Sequence, residues 1–164
     1  MQVETPRLLL RPGRSEDAPD LAAAIGDRNV AGQLSNVPWP YSLADAENFI
    51  AGMKGDGLPR FLIFQRDEMR EHLVGGCGVT RSEDALKIGY WVAKSAWKQG
   101  IATEAVAALL EQLRCLGHKL VYAEHKTDNM ASRRVLEKQG FEVCGDGLSD
   151  LKSQPDLVLM VKHL

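Results

Sequence analysis

Apolar and polar positions change period several times along this chain, and each change marks an element. Arg7-Leu8-Leu9-Leu10-Arg11 is a short apolar run stopped by Pro12-Gly13, which predicts a strand. Ser15 stands as a cap for a helix running to Gly26, with Glu16 and Asp17 in a first turn where the helix dipole favours acids. Asn36, Pro38 and Pro40 mark a loop that carries the aromatics Trp39 and Tyr41. Ser42 and Asp45 have capping-box spacing for a second helix, which ends near Gly52 or Gly55. From residue 60 the runs shorten. Phe61 to Gln65, Leu73 to Thr80 and Leu86 to Val92, separated by charged turns, predict an antiparallel meander.

The period then lengthens. Ile101, Ala105, Ala108, Leu109, Leu113 and Leu116 recur at three and four, with Glu104, Glu111, Gln112 and Arg114 largely on the other side, and Gly117 stops this helix. Leu120 to His125 reads as a strand. Asn129 caps a last helix carrying Val135 and Leu136, which Gly140 ends ahead of a strand over Phe141 to Cys144, and Leu157 to Val161 closes the sheet. The order is β-α-α-β-β-β-α-β-α-β-β. Its strand-helix-strand unit through residues 86 to 125 makes those two strands parallel.

Composition narrows the class. A chain of 164 residues, 45% hydrophobic and 26% charged, fits one domain over residues 1 to 164 that buries its own core. A net charge of −2 gives no electrostatic footprint for nucleic acid, so any anionic ligand must be held locally. The apolar runs are too short to span a bilayer, and Met1 to Pro6 has neither a basic nor an apolar signal segment, so a cytoplasmic protein without membrane contact is expected. Cys77, Cys115 and Cys144 are widely spaced in apolar segments and read as reduced core residues. No His, Cys or carboxylate cluster has metal-ligand spacing, so no metal is expected.

The most specific local signal is Trp97-Lys98-Gln99-Gly100-Ile101-Ala102-Thr103-Glu104-Ala105, a small-residue turn that opens directly into the periodic helix. The first amides of a helix lack internal partners and carry positive partial charge, so an anion needs only close access to the backbone. Gly100 and Ala102 leave that access open, while Lys98 adds a cation and Thr103 a hydroxyl, a set suited to a pyrophosphate. The spelling matches neither a Walker-type loop nor a dinucleotide fingerprint.

Together with the order of elements, three segments carry a family resemblance: Thr5-Pro6-Arg7-Leu8-Leu9-Leu10-Arg11-Pro12, then Ile88-Gly89-Tyr90-Trp91-Val92 with the turn above, then Asn129-Met130-Ala131-Ser132-Arg133-Arg134-Val135-Leu136-Glu137-Lys138-Gln139-Gly140-Phe141. Over essentially its whole length the chain resembles the GNAT superfamily of acyl-CoA-dependent N-acetyltransferases, in the RimJ/RimL-like branch. The resemblance implies an α/β fold with a mixed, mostly antiparallel central sheet of about seven strands, helices on both faces and a splayed parallel pair. It implies acetyl-CoA as acyl donor, with the amides of Lys98, Gln99, Gly100, Ile101, Ala102 and Thr103 on the pyrophosphate. The pantetheine arm would run past Trp91 and Val92, and Asn129 would touch it. Trp97 stands where Gln or Arg is usual in the wider family. Asn129 reads equally as a plain helix cap.

Transfer is expected by direct attack of a primary amine on the thioester in a ternary complex, because the chain shows neither a nucleophile elbow nor a Cys-His-Asp order. A backbone N–H near Val92 would polarise the carbonyl. The resemblance places the branch's hydroxyl at Ser132, which would hydrogen-bond or protonate the departing thiolate. No Tyr occurs over Arg133 to Gln139, where other branches carry one, and Lys87 occupies a position that is often acidic. Candidate bases are Glu124, His125, Glu83, Asp84 and His72. Asn36, Trp39, Tyr41 and Tyr90 are expected along the acceptor groove. The acceptor is expected to be a protein N-terminal α-amine or a small amine, acted on by a monomer or homodimer. The competing reading is a CoA-binding sensor or assembly domain of the same fold without catalysis.

Overall fold

A computed structural model describes residues 1–34, 37–67, 70–82, 85–145 and 154–164 of the chain. It contains strands β1 (Val3–Glu4) and β2 (Leu8–Arg11), helices α1 (Ala18–Ile25), α2 (Arg28–Ala31) and α3 (Leu43–Gly52), and the meander β3 (Arg60–Arg66), β4 (Glu71–Ser82) and β5 (Ala85–Val92). Helix α4 (Ile101–Cys115), β6 (Leu120–Lys126), α5 (Met130–Lys138), β7 (Glu142–Val143) and β8 (Leu157–His163) follow.

Eight strands form one sheet in the order β1-β2-β3-β4-β5-β6-β8-β7, antiparallel throughout except for the parallel β5–β6 pair. Strand alternation splits the core in two. Leu8, Leu10, Phe61 and Ile63 pack on one face against Ile101, Ala105, Leu109 and Leu113 of α4 and Leu136 of α5. Leu9, Leu62 and Phe64 point the other way, to Leu21 and Ile25 of α1 and Ala46 and Ile50 of α3. Helices therefore cover both faces, as the resemblance implies.

The expected elements are present with local corrections. Among the described residues the strand count is eight, because Val3–Glu4 adds an edge strand. The last strand does not close the sheet: β8 inserts between β6 and β7, leaving the two-residue β7 at the edge. Ser15 does not cap a continuous helix. Residues Ser15–Asp17 form a 3-10 turn in which the Asp17 carboxylate accepts the Arg14 N–H at 2.7 Å and grips Arg11 through two bonds of 2.7 and 2.9 Å. An unanticipated short α2 follows, capped by Asp27, which accepts the Asn29 N–H at 2.8 Å. The Ser42–Asp45 capping box forms as its spacing predicts. Of the cysteines only Cys77 is buried. Cys115 is exposed because the inward stripe of α4 ends at Leu113, and Leu116 is exposed with it. Among the described residues, no helix is long and apolar enough to cross a membrane.

Two features of this architecture position a site. The parallel pairing of β5 and β6 is confined to Lys87 with Tyr122 and Ile88 with Ala123. Beyond those pairs each strand stays bonded to its outer neighbour, β5 to β4 as far as Val92 and β6 to β8 as far as Lys126, so a gap opens between them. The second feature is the turn that lies between β5 and α4.

Candidate active site

The turn before α4 is held open from both ends. Lys98 (φ 61) and Gly100 (φ 77) both have left-handed backbones, a conformation that is costly for any residue but glycine. Among the described residues no side chain caps α4, whose first backbone bond runs from the Glu104 N–H to the Gly100 carbonyl at 3.1 Å. Among the described residues, the amides from Lys98 to Thr103 donate no bond to another backbone carbonyl outside the helix. At one end, the Trp97 indole N–H donates to the Val92 carbonyl at 2.7 Å and ties the turn to the tip of β5. At the other, the Arg7 guanidinium donates to the Gln99 carbonyl at 2.9 Å and to Glu104 at 2.7 Å. Glu104 also accepts Thr5 Oγ1 at 2.5 Å and the Arg7 N–H at 3.2 Å. Burial raises the affinity of Glu104 for a proton, but these bonds outweigh it and hold its carboxyl below the usual range.

The bonds of Arg7, Glu104 and the Trp97 indole that hold this turn have no signature in the local sequence. Glu104 reads as an ordinary dipole-favoured acid, and its partners are almost a hundred positions away in the chain.

The gap receives backbone groups from β5. The Ala93 N–H donates to Val74 of β4 at 2.8 Å, so the Val92 N–H, one residue earlier, points to the opposite side, where β6 has moved away. Tyr90 shares that direction two residues earlier. Across the gap, Asn129 Oδ1 accepts the Ser132 N–H at 3.0 Å and caps α5. The Tyr90 hydroxyl lies 2.8 Å from Ser132 Oγ and 3.0 Å from the Ser132 carbonyl. The phenol is thus engaged with α5. Burial is the larger influence on it, pushing its pKa up to about 12 against the lowering effect of Ser132.

The face of the sheet away from α4 and α5 gathers Trp91, Val37 and Tyr41 around α1 and α3. The Trp91 indole lies over Gly76, where a Cβ would sit 2.6 Å from Nε1, so only glycine leaves room for the ring. The Tyr41 hydroxyl is buried with no hydrogen-bond partner among the described residues, and burial, then the charge of Asp45, raises its pKa. Trp39 is exposed, with Arg28 stacked 5.6 Å from its ring centre. At the point where β5 and β6 part, Lys87 Nζ lies 3.3 Å from Glu124 Oε1, both side chains mostly buried. His125 is buried. Its Nδ1 donates to the Lys126 carbonyl at 2.7 Å, and its Nε2 has no partner among the described residues. His72 is exposed, 2.8 Å from Asp67, near the start of β4 and three residues before Gly75, the partner of Val92. Asn36, Glu83 and Asp84 lie outside the described residues.

A hydroxyl pair, a capped helix and free-standing amides thus converge on one gap, with an uncapped helix start alongside it. Comparison with known proteins identifies the fold and the family. The family model for the acetyltransferase (GNAT) domain matches residues 7–142. An uncharacterized N-acetyltransferase, YoaA of Bacillus subtilis (strain 168), is 27% identical over 147 residues, spanning 85% of this chain and 82% of that protein. Among solved structures, a GNAT-family acetyltransferase from Bacillus anthracis superposes with a TM-score of 0.81 at 21% identity, covering 99% of this chain and 98% of the other. RimL, a ribosomal alpha-N-protein acetyltransferase solved with coenzyme A, gives 0.81 at 20% identity, covering 100% and 98%. The match over most of the chain, from β2 through α5, shows that this protein belongs to the GNAT family of acyl-CoA-dependent acetyltransferases, with RimJ/RimL-like relatives.

Proposed function

We propose that residues 1 to 164 act as one cytoplasmic acetyltransferase domain that moves an acetyl group from acetyl-CoA directly to a protein N-terminal α-amine or a small amine of similar basicity. The observation that carries this reading is the uncapped, left-handed turn at Lys98–Gly100 beside the gap between β5 and β6. Backbone strain of this kind persists where function needs it, and here it leads into a helix start whose amides have no other backbone acceptor among the described residues. Those amides, with the Lys98 ammonium and the Thr103 hydroxyl, hold the pyrophosphate. The Tyr90 and Val92 backbone groups pair with the pantetheine arm as a partial strand, and Asn129 Nδ2, unused by the cap, donates to it.

In the chemical step the Val92 N–H points at the thioester oxygen, a donation worth about 3 kcal/mol in an acyl-transfer site. The amine nitrogen attacks the carbonyl carbon, the C–S bond breaks, and Ser132 Oγ donates a hydrogen bond to the departing sulfur. Trp39, Trp91 and Tyr41, whose hydroxyl has no partner among the described residues, line the acceptor side. Its α-amine loses its proton to water, or to Glu124 once the bond to Lys87 loosens. RimL, named as an alpha-N-protein acetyltransferase, supports the α-amine as acceptor.

The test is CoA thiol release from acetyl-CoA with peptides bearing free or blocked N-termini, alongside a thermal shift with acetyl-CoA alone. Thiol release that requires a free N-terminus or a small amine supports the reading. A thermal shift without thiol release from any amine would replace it with the CoA-binding, non-catalytic one.

A further inference from the structure

Tyr90 and Ser132 together hold two hydroxyl protons, and three acceptor positions compete for them. Tyr90 Oη sits 3.0 Å from the Ser132 carbonyl and 2.8 Å from Ser132 Oγ, both within the range of a good O–H···O bond. When Tyr90 donates to the carbonyl, Ser132 donates to Tyr90, and the serine proton is turned away from any other group. When Tyr90 donates to Ser132 Oγ, the serine proton is released. Asn129 fixes the backbone of Ser132 in either case through the bond from the Ser132 N–H to Oδ1.

We propose that Tyr90 is a positioning residue for Ser132: by swinging its proton from the Ser132 carbonyl to Ser132 Oγ, it frees the serine hydroxyl to donate to the sulfur that leaves acetyl-CoA. This rests on the assignment of Ser132 to the leaving sulfur made above. A developing thiolate favours the second arrangement, because a hydrogen bond to an anion is about twice as strong as one to a neutral carbonyl, and the two hydroxyls then polarise one another in series. Neither oxygen surrenders its proton outright. Burial pushes the Tyr90 phenol up to about 12, so it stays neutral while it donates to Ser132. The step therefore balances without them. The N–C bond forms, the C–S bond breaks, the proton lost by the amine reaches the sulfur through water, and Tyr90 and Ser132 end as they began.

The test is a double-mutant cycle of Tyr90→Phe and Ser132→Ala, read as kcat, KM for acetyl-CoA, the Kd for acetyl-CoA and thermal stability. Phenylalanine keeps the ring and removes only the hydroxyl. Tyr90→Phe is expected to lower kcat roughly five- to fiftyfold with the Kd for acetyl-CoA within about twofold. In the Ser132→Ala background the same change is expected to cost nothing further. A Tyr90→Phe enzyme with parental kcat beside a slow Ser132→Ala enzyme would sink the role of Tyr90 and leave that of Ser132 standing. Additive losses, or a rise in the Kd for acetyl-CoA that matches the fall in kcat, would likewise overturn it. If Ser132→Ala turns over at the parental rate, the underlying assignment of Ser132 fails, and that result is separate from any outcome for Tyr90.

Discussion

Asp17 shows how much one carboxylate can hold. Burial alone raises its proton affinity, yet the paired hydrogen bonds from Arg11, the Arg14 amide and the charges of both arginines lower its pKa below 3.8 on balance. Arg11 in turn lies 3.9 Å over the Phe64 ring, so one ion pair joins β2, β3 and the entry to α1. Because the folded-state pKa is depressed, the stabilisation is fully present above the unfolded value near ~3.9 and is lost as pH falls through the folded one. Asp17→Asn should therefore destabilise the protein at neutral pH by roughly 3–5 kcal/mol, since it leaves Arg11 buried without its counter-charge. The same variant should show a shallower loss of stability than the parent as pH falls below about 4. Urea unfolding at pH 7 and pH 3.5 measures both. A parental midpoint at pH 7 would contradict the assignment. From the sequence Asp17 reads only as an acid in a first turn, because its partner is set by how β2 meets the 3-10 turn, which no local spacing encodes.

The turn at Trp97–Gly100 and the helix it opens are the part of the site most legible from the chain, since small residues ahead of a 3.6-period pattern already specify an open helix start. The Arg7–Glu104 clamp is not legible, because it joins the residue just before β2 to α4 across 97 positions. Likewise Trp97 is readable only as a departure from a motif, whereas in the fold its indole closes the Val92 carbonyl. Gly100→Glu tests the turn as a unit. The left-handed φ of 77° costs a side chain about 1–2 kcal/mol, and a Cβ there would meet Arg7 Nη2 at an ordinary 3.5 Å, so the fold should survive. The added carboxylate would stand where the pyrophosphate is placed. Acetyl-CoA should then give no thermal shift with Gly100→Glu, while Gly100→Ala, which carries the strain without the charge, should keep most of it. An undiminished shift in folded Gly100→Glu would refute the placement.

Across the sheet as a whole, the parallel β5–β6 pair follows from a strand-helix-strand order, but the divergence after Ile88 and Ala123 has no signature in the hydrophobic pattern and came only with the resemblance. The insertion of β8 between β6 and β7 was equally hidden, since alternation reports which face a residue occupies and not which strand lies beside it. That insertion anchors β6 along its outer edge over residues 120 to 126 and so lets its inner edge stand away from β5. Near the resulting gap, Glu124 contacts Lys87, and His125 is buried with Nδ1 on a carbonyl and Nε2 without a partner among the described residues. An enzyme built this way should rely on acceptors that deprotonate readily. An α-amine with pKa near ~8 is about one-tenth neutral at pH 7, a cost of about 1.4 kcal/mol, whereas a lysine amine near ~10.4 costs about 4.6 kcal/mol. The rate with an N-terminal peptide should rise with pH toward the acceptor's own pKa, and no inflection should occur near pH 6. Peptides differing in α-amine pKa should shift the profile by the same interval. A profile that stays fixed while the acceptor pKa changes, or efficient acetylation of internal lysines in peptides with blocked N-termini, would assign the proton to a side chain of the enzyme instead.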